Sequence, residues 1–273
     1  MQGTQASATD QQGATRVACA VADGRATITL VRAAARNAID RRFTEELEAA
    51  VDACAARTDL RVVVIVAEGD HFSVGGDLRH MAGFADELGD ELGRMITPFH
   101  RALDTLARLE VPVVAGVQGA FAGGAMGIAY AADVVVAADD LRVAAGFPAL
   151  GLSGDGGTSW HLPRLVGLRR AQELLVENRI LDAAEALDWG LVTRTVPRAE
   201  LAAEVERTAA RLAAGPTRSL GRARRLLRTS STTSIGDRLA EERESMRELG
   251  DTADAREGVR AFAEKRAPRF EGR

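Results

Sequence analysis

Apolar and polar positions change their rhythm along the chain, and the changes mark the elements. In "RVACAVADGRATITLVR" (16–32) two β-type runs flank Asp23-Gly24. Glycine supplies the positive φ of a tight turn, so a hairpin is predicted to open the fold. In "RRFTEELEAAVDACAAR" (41–57) Phe43, Leu47, Ala50, Val51 and Cys54 fall on one helical face, and Asp40 stands as the N-cap. "RVVVIVA" (61–67) is apolar without alternation, the pattern of a strand buried on both faces. A helix over about 90–109 follows, then a strand in "VPVVAGV", a glycine-rich helix start in "FAGGAMGIAYAAD" and a strand in "VVVAA". Strands alternating with helices predict an α/β core with crossover connections.

Beyond Val196-Pro197 the rhythm becomes helical and charged to the end, through "ELAAEVERTAARLAAG", "TRSLGRARRLLR", "SIGDRLAEERESMRELG" and "ADAREGVRAFAEKR". The reading is a core over 16–197 and a helical region over 198–273, suited to packing on the core or on a neighbouring subunit. The opening "MQGTQASATDQQGAT" has no apolar stretch and no arginine before Arg16. Residues 1–15 are therefore expected to be a disordered tail, neither secretory signal nor transit peptide.

Composition narrows the function classes. A chain of 273 residues, 46% hydrophobic, can bury one large core. The formal charge of −4 argues against a surface built for nucleic acid, which would make the domain basic, so any bound anion must be met locally. No apolar run approaches a membrane span; a soluble, cytoplasmic protein is expected. Cys19 and Cys54 form neither a disulfide framework nor a metal-ligand spacing and read as core thiols of a reducing compartment. His71, His80, His100 and His161 share no ligand spacing, so no metal is expected. Tyr130 and Trp189 read as packing residues. The four arginines of "GRARRLLR" (221–228) could form an RNA-binding patch, but the surrounding acids favour a solvated or inter-helix face.

The chemistry concentrates in two glycine pairs. "GDHFSVGGDLRHM" (69–81) leaves the apolar strand with Gly75-Gly76, and "QGAFAGGAMG" (118–127) carries Gly123-Gly124 between a strand and a helix. Backbone N–H groups at such junctions lack intrahelical partners. Two of them from separate junctions could clasp one oxygen, the arrangement of an oxyanion hole; either pair alone would be ordinary turn chemistry.

These blocks resemble the crotonase, or enoyl-CoA hydratase/isomerase, superfamily. So do "ARNAID" (35–40), "GLSGDGGTSWHLPRLVG" (151–167), "AAEALDWGLVTRTVP" (183–197) and "EGVRAFAEKRAPRF" (257–270), in the family's order. The resemblance implies an α/β spiral of β-β-α units with a C-terminal helical trimerisation region, assembled as a trimer or a dimer of trimers. It implies that the N–H groups of Gly76 and Gly124 bind the thioester carbonyl of an acyl-CoA and stabilise an enolate, each donor being worth on the order of 3 kcal/mol. Gly75, Asp77, Leu78 and Gly123 would flank the substrate, Asp77 also capping the helix that follows. Ala35, Arg36 and Ala38 match the adenine-contacting segment. Lys265 lies in the C-terminal helix that closes over CoA, often from a neighbouring subunit, with Phe262 facing the acyl pocket. CoA is part of the substrate, so no separate cofactor is implied.

Hydratases of the family use two glutamates, and the matching positions are Gly127 and Phe147. Asp155 instead matches the aspartate of some double-bond isomerases, including ring-opening types from phenylacetate degradation, although that turn often has proline where Gly154 stands. One carboxylate can take a proton from one carbon and return it two carbons away. Outside the family context Asp155 would be a turn aspartate bonding its own backbone. Trp160 follows closely enough to line a pocket. The expected function is enoyl-CoA isomerisation. The rivals are a hydratase with its acid elsewhere and a non-catalytic CoA-ester or RNA-binding protein. The walls that select the acyl group are expected from the segment 81–95.

Overall fold

The computed structural model describes residues 14–273; the tail expected over 1–15 lies outside the described residues except for its last two. The hairpin forms as β1 (Val17–Ala22) and β2 (Arg25–Leu30), antiparallel, with Asp23 and Gly24 both at positive φ. Four strands then add in parallel: β3 (Val62–Ala67), β4 (Val113–Val117), β6 (Val134–Ala138) and β9 (Arg194–Val196), giving one six-stranded sheet in the order β1-β2-β3-β4-β6-β9. A smaller sheet holds β5 (Ala120–Ala122), β7 (Arg142–Ala144) and β8 (Ile180–Asp182). The chain passes repeatedly from the large sheet to the small one and then to a helix, so successive turns stack as a spiral.

The large sheet is covered on both faces, which is why its central strands are continuous apolar runs. One face meets α1 (Arg41–Ala55) and α3 (Leu88–Arg108), through Phe43, Leu47, Phe99 and Leu106. On the other, Leu201, Val205 and Ala209 of α7 (Leu201–Ala213) pack on Val62, Val64, Val114 and Val136. The change of rhythm at 197 thus coincides with the end of the last strand, and the first helix beyond it closes the sheet. The remaining helices are α2 (Leu78–Ala82), α4 (Ala125–Tyr130), α5 (Thr158–Leu175), α6 (Ala183–Asp188), α8 (Thr217–Arg228), α9 (Ile235–Gly250) and α10 (Ala253–Ala263).

Asp40 caps α1 by accepting from Phe43 N at 2.8 Å, as the sequence indicates. The cysteine expectation needs a correction. Cys54 is buried but Cys19 is exposed, because it lies on an edge strand whose residues after Val17 are open to solvent. The arginine-rich helix α8 is no free basic face. Arg224 is buried and donates to the carbonyls of Leu106, Ala107 and Leu109 at the end of α3, to that of Ala131 after α4, and to Asp133. Arg222 pairs with Glu248 and Arg228 reaches Ala131 and Asp133.

Candidate active site

Two glycine pairs meet because the strands that carry them are bridged. Ser73 N donates to Ala120 O at 3.0 Å, and Ala122 N donates to Ser73 O at 3.1 Å, which sets 73 and 121 side by side in parallel. Both chains then turn through a glycine at positive φ, Gly75 at +83° and Gly123 at +58°, a conformation most side chains resist. The turns abut: a Cβ on Gly75 would lie 3.4 Å from Gly123 Cα and 3.1 Å from Ala122 O. The first N–H of each pair is engaged, Gly75 with Ser73 Oγ and Gly123 with Ala144 O. The second, on Gly76 and Gly124, has no acceptor among the described residues.

Gly76 is held on either side. Ile39 N donates to Gly75 O and Asp77 N to Ile39 O. Asp77 caps α2, accepting from the N–H groups of Arg79 and His80, and binds Arg32 at 2.6 Å. Arg32 and Arg16 in turn meet Asp40 at 3.3 and 3.0 Å, every side chain of this quartet being buried. Burial pushes the Asp77 carboxyl up, but the backbone donor His80, Arg32 and the second donor Arg79 outweigh it and hold the group below the usual carboxylate range. Asp77 is a fixed anion that shapes the turn and is poorly suited to carry a proton.

Gly76 and Gly124 line one cavity of about 550 Å³, whose walls are mostly apolar. Its lining includes Met81, Leu92 and Met95, from the segment expected to select the acyl group, and Leu78, Ile96, Phe99, Phe147, Leu150 and Leu152 beyond it. Among these lining residues the one carboxylate is Asp155. Its Oδ2 lies 3.2 Å from the point a Cβ on Gly124 would occupy, so acid and bare N–H share one corner of the cavity.

The missing glutamates have a steric counterpart. A Cβ on Gly127 would stand 1.9 Å from the carbonyl oxygen of Gly156; the turn carrying Asp155 fills the space that a side chain at 127 would need. Phe147 lines the cavity as a ring.

The sequence reading missed His100. Its Nε2 stands 2.6 Å from Asp155 Oδ1, within hydrogen-bond distance. Nothing local could have shown this, since the partner is 55 residues away in the chain. The other histidines have separate tasks: His71 Nδ1 accepts from Ala120 N, and His80 binds Glu91. His161 is pushed down to about 4 by burial and by Arg228 and Arg164.

Other expected contacts lie elsewhere. Trp160 is 40% exposed, stacks with Arg164 and borders a second cavity instead of the one lined by Gly76 and Gly124. Tyr130 and Trp189 are buried packing residues as read. Ala35, Arg36 and Ala38 stand beside the first glycine pair, Arg36 O accepting from Val74 N at 3.2 Å, but do not line the cavity. Phe262 is 87% exposed, and neither it nor Lys265 lines the cavity of its own chain.

The model of the enoyl-CoA hydratase/isomerase family matches residues 21–273. A 1,2-epoxyphenylacetyl-CoA isomerase of Escherichia coli is 33% identical over 93% of this chain and 97% of its own. A 4-chlorobenzoyl coenzyme A dehalogenase of an Arthrobacter species is 32% identical over 78% of both chains. The crystal structure of an enoyl-CoA hydratase from a Polaromonas species superposes with a TM-score of 0.87 at 29% identity, covering 93% of this chain and 99% of that one. The relatives share a framework and differ in reaction.

Proposed function

The chain belongs to the enoyl-CoA hydratase/isomerase family, and within it we propose that it shifts the double bond of an enoyl-CoA with Asp155 as the single proton carrier. The observation that carries this reading is the corner where Asp155 Oδ2 meets Gly124, in a cavity lined by no other carboxylate among the described residues. The thioester carbonyl accepts hydrogen bonds from Gly76 and Gly124 N–H. Asp155 removes a proton from C2, the charge moves to the carbonyl oxygen as an enolate, and the carboxylic acid so formed protonates C4. Apolar walls exclude water from the enolate, which strengthens the two hydrogen bonds. Two-glutamate hydration has no foothold, because Gly127 has no room for a side chain and Phe147 has no acid.

The relevant test follows 3-enoyl-CoA and 2-enoyl-CoA by NMR, reading double-bond position and any 3-hydroxyacyl product. Migration without hydration, abolished in Asp155→Ala, is the expected result; hydration that survives the substitution would overturn the reading.

A second reading is favoured by the 2.6 Å contact of His100 with Asp155 and by the dehalogenase relative. A carboxylate beside an imidazole can attack a thioester-activated ring carbon, expel halide and be released by water that the imidazole deprotonates. Halide release from 4-chlorobenzoyl-CoA would select it.

The region 198–273 is proposed to assemble copies into a trimer or a dimer of trimers, bringing Phe262 and Lys265 to a neighbour's acyl-CoA. Exposed Met246, Val259 and Phe262 support this, and sedimentation of the purified protein tests it.

A further inference from the structure

Behind the Asp155 turn lies a second cavity, of about 650 Å³, between α3, the start of α5 and the end of α8. It borders Gly156 and Gly157, and its lining includes Arg108, which pairs with Asp104, together with Arg225 and Arg228. The two cavities have one lining residue in common among those described, His100. On one side its Nε2 meets Asp155 Oδ1 at 2.6 Å; the side chain as a whole is 52% exposed, against 25% for Asp155. His161 borders the second cavity too, but burial and the arginines hold it neutral down to about pH 4. His100 is therefore the imidazole there that both touches Asp155 and stands half open to the second cavity.

From this arrangement we propose that His100 connects the proton held by Asp155 to solvent in the second cavity, so that the proton delivered to the product comes from water and not from the substrate. The inference rests on the isomerase reading. Asp155 takes the C2 proton, and the carboxylic acid passes it to Nε2 of the neutral imidazole, leaving carboxylate and imidazolium. The exposed imidazolium turns so that Nε2 faces the second cavity, gives the substrate's proton to water and takes one from water in its place; on turning back, Nε2 returns that proton to Asp155, which delivers it to C4. One proton leaves C2 and one arrives at C4, and the exchange with water is one for one, so charge and atoms balance. An apolar acyl cavity that keeps water off the enolate would otherwise force direct transfer within the substrate. The second cavity supplies solvent without opening the first.

The test is isotopic partitioning in deuterated water, read per turnover and so independent of rate. Wild-type protein and His100→Gln, which keeps a donor to Asp155 but cannot carry a proton, are given 3-enoyl-CoA, and deuterium at C4 of the product is measured by NMR. In parallel a saturated acyl-CoA reports deuterium entry at C2. Deuterium at C4 in most wild-type turnovers, falling at least severalfold in His100→Gln with a matching drop in C2 exchange, is the expected result. Migration with the same deuterium fraction in both proteins would overturn the relay and leave the isomerase reading standing. Neither migration nor C2 exchange in the wild type would overturn both.

Discussion

At the residue scale, Gly127 and Asp155 are one packing decision. A methyl at 127 must displace the carbonyl of Gly156, 1.9 Å away, and the adjacent acid moves with it. Gly127→Ala is expected to cost about 1–3 kcal/mol by overpacking and to lower turnover more than substrate affinity. Thermal unfolding and steady-state kinetics measure both. Gly93, in α3 with nothing within 4 Å of its would-be Cβ, is the control: Gly93→Ala should gain about 0.5–1 kcal/mol from helix propensity and keep its activity. What was legible at this scale was backbone chemistry, since Gly76, Gly124 and Asp155 sit in quotable motifs. His100 carries no such mark. A histidine on a helix acquires meaning only from the turn that folds against it.

At the element scale, the wall segment is fastened by Glu91. This buried acid of α3 binds Arg41 of α1, His80 of α2 at 2.7 Å and Arg94 at 2.9 Å, tying the helix after Gly76 to the rest of the acyl cavity. Burial raises its carboxyl, but hydrogen bonds from Arg41, His80 and Arg94 prevail and bring it to about 2 from the ordinary 4.5. A carboxyl lowered by folding stabilises the native state above its unfolded value and loses that contribution as pH falls through the folded one. The stability advantage of the wild type over Glu91→Gln should be full above about pH 4.5 and fade toward pH 2, as read by urea unfolding across that range. An advantage constant with pH would contradict the latch. The segment was opaque in sequence because α2 has five residues and the small-sheet strands three each, too short for any periodicity to register. The hairpin and α1 were legible because each runs long enough to show its period, and β3 because six consecutive apolar residues mark a strand buried on both faces.

At the scale of the molecule, Arg224 joins α8 to the spiral by occupying carbonyls left open where α3 and α4 end. Arg224→Met removes the donor to the carbonyls of Leu106, Ala107 and Leu109 and the close partner of Asp133, and is expected to cost about 3–5 kcal/mol, measured by denaturant unfolding. Exposed Arg225→Ala should stay within about 0.5 kcal/mol. In the sequence both arginines look like surface charge, because a motif shows donors and never the distant carbonyls that receive them. The family and order of elements were legible over almost the whole chain; the role proposed for Asp155 was legible only through that resemblance. The proposed function turns on Asp155 beside Gly124, so the most direct measurement is the kcat for migration of a 3-enoyl-CoA by Asp155→Asn, with acyl-CoA affinity determined on the same protein. A fall in kcat of about 10²–10⁴ with affinity changed less than tenfold is expected. A kcat within threefold of wild type would contradict the account.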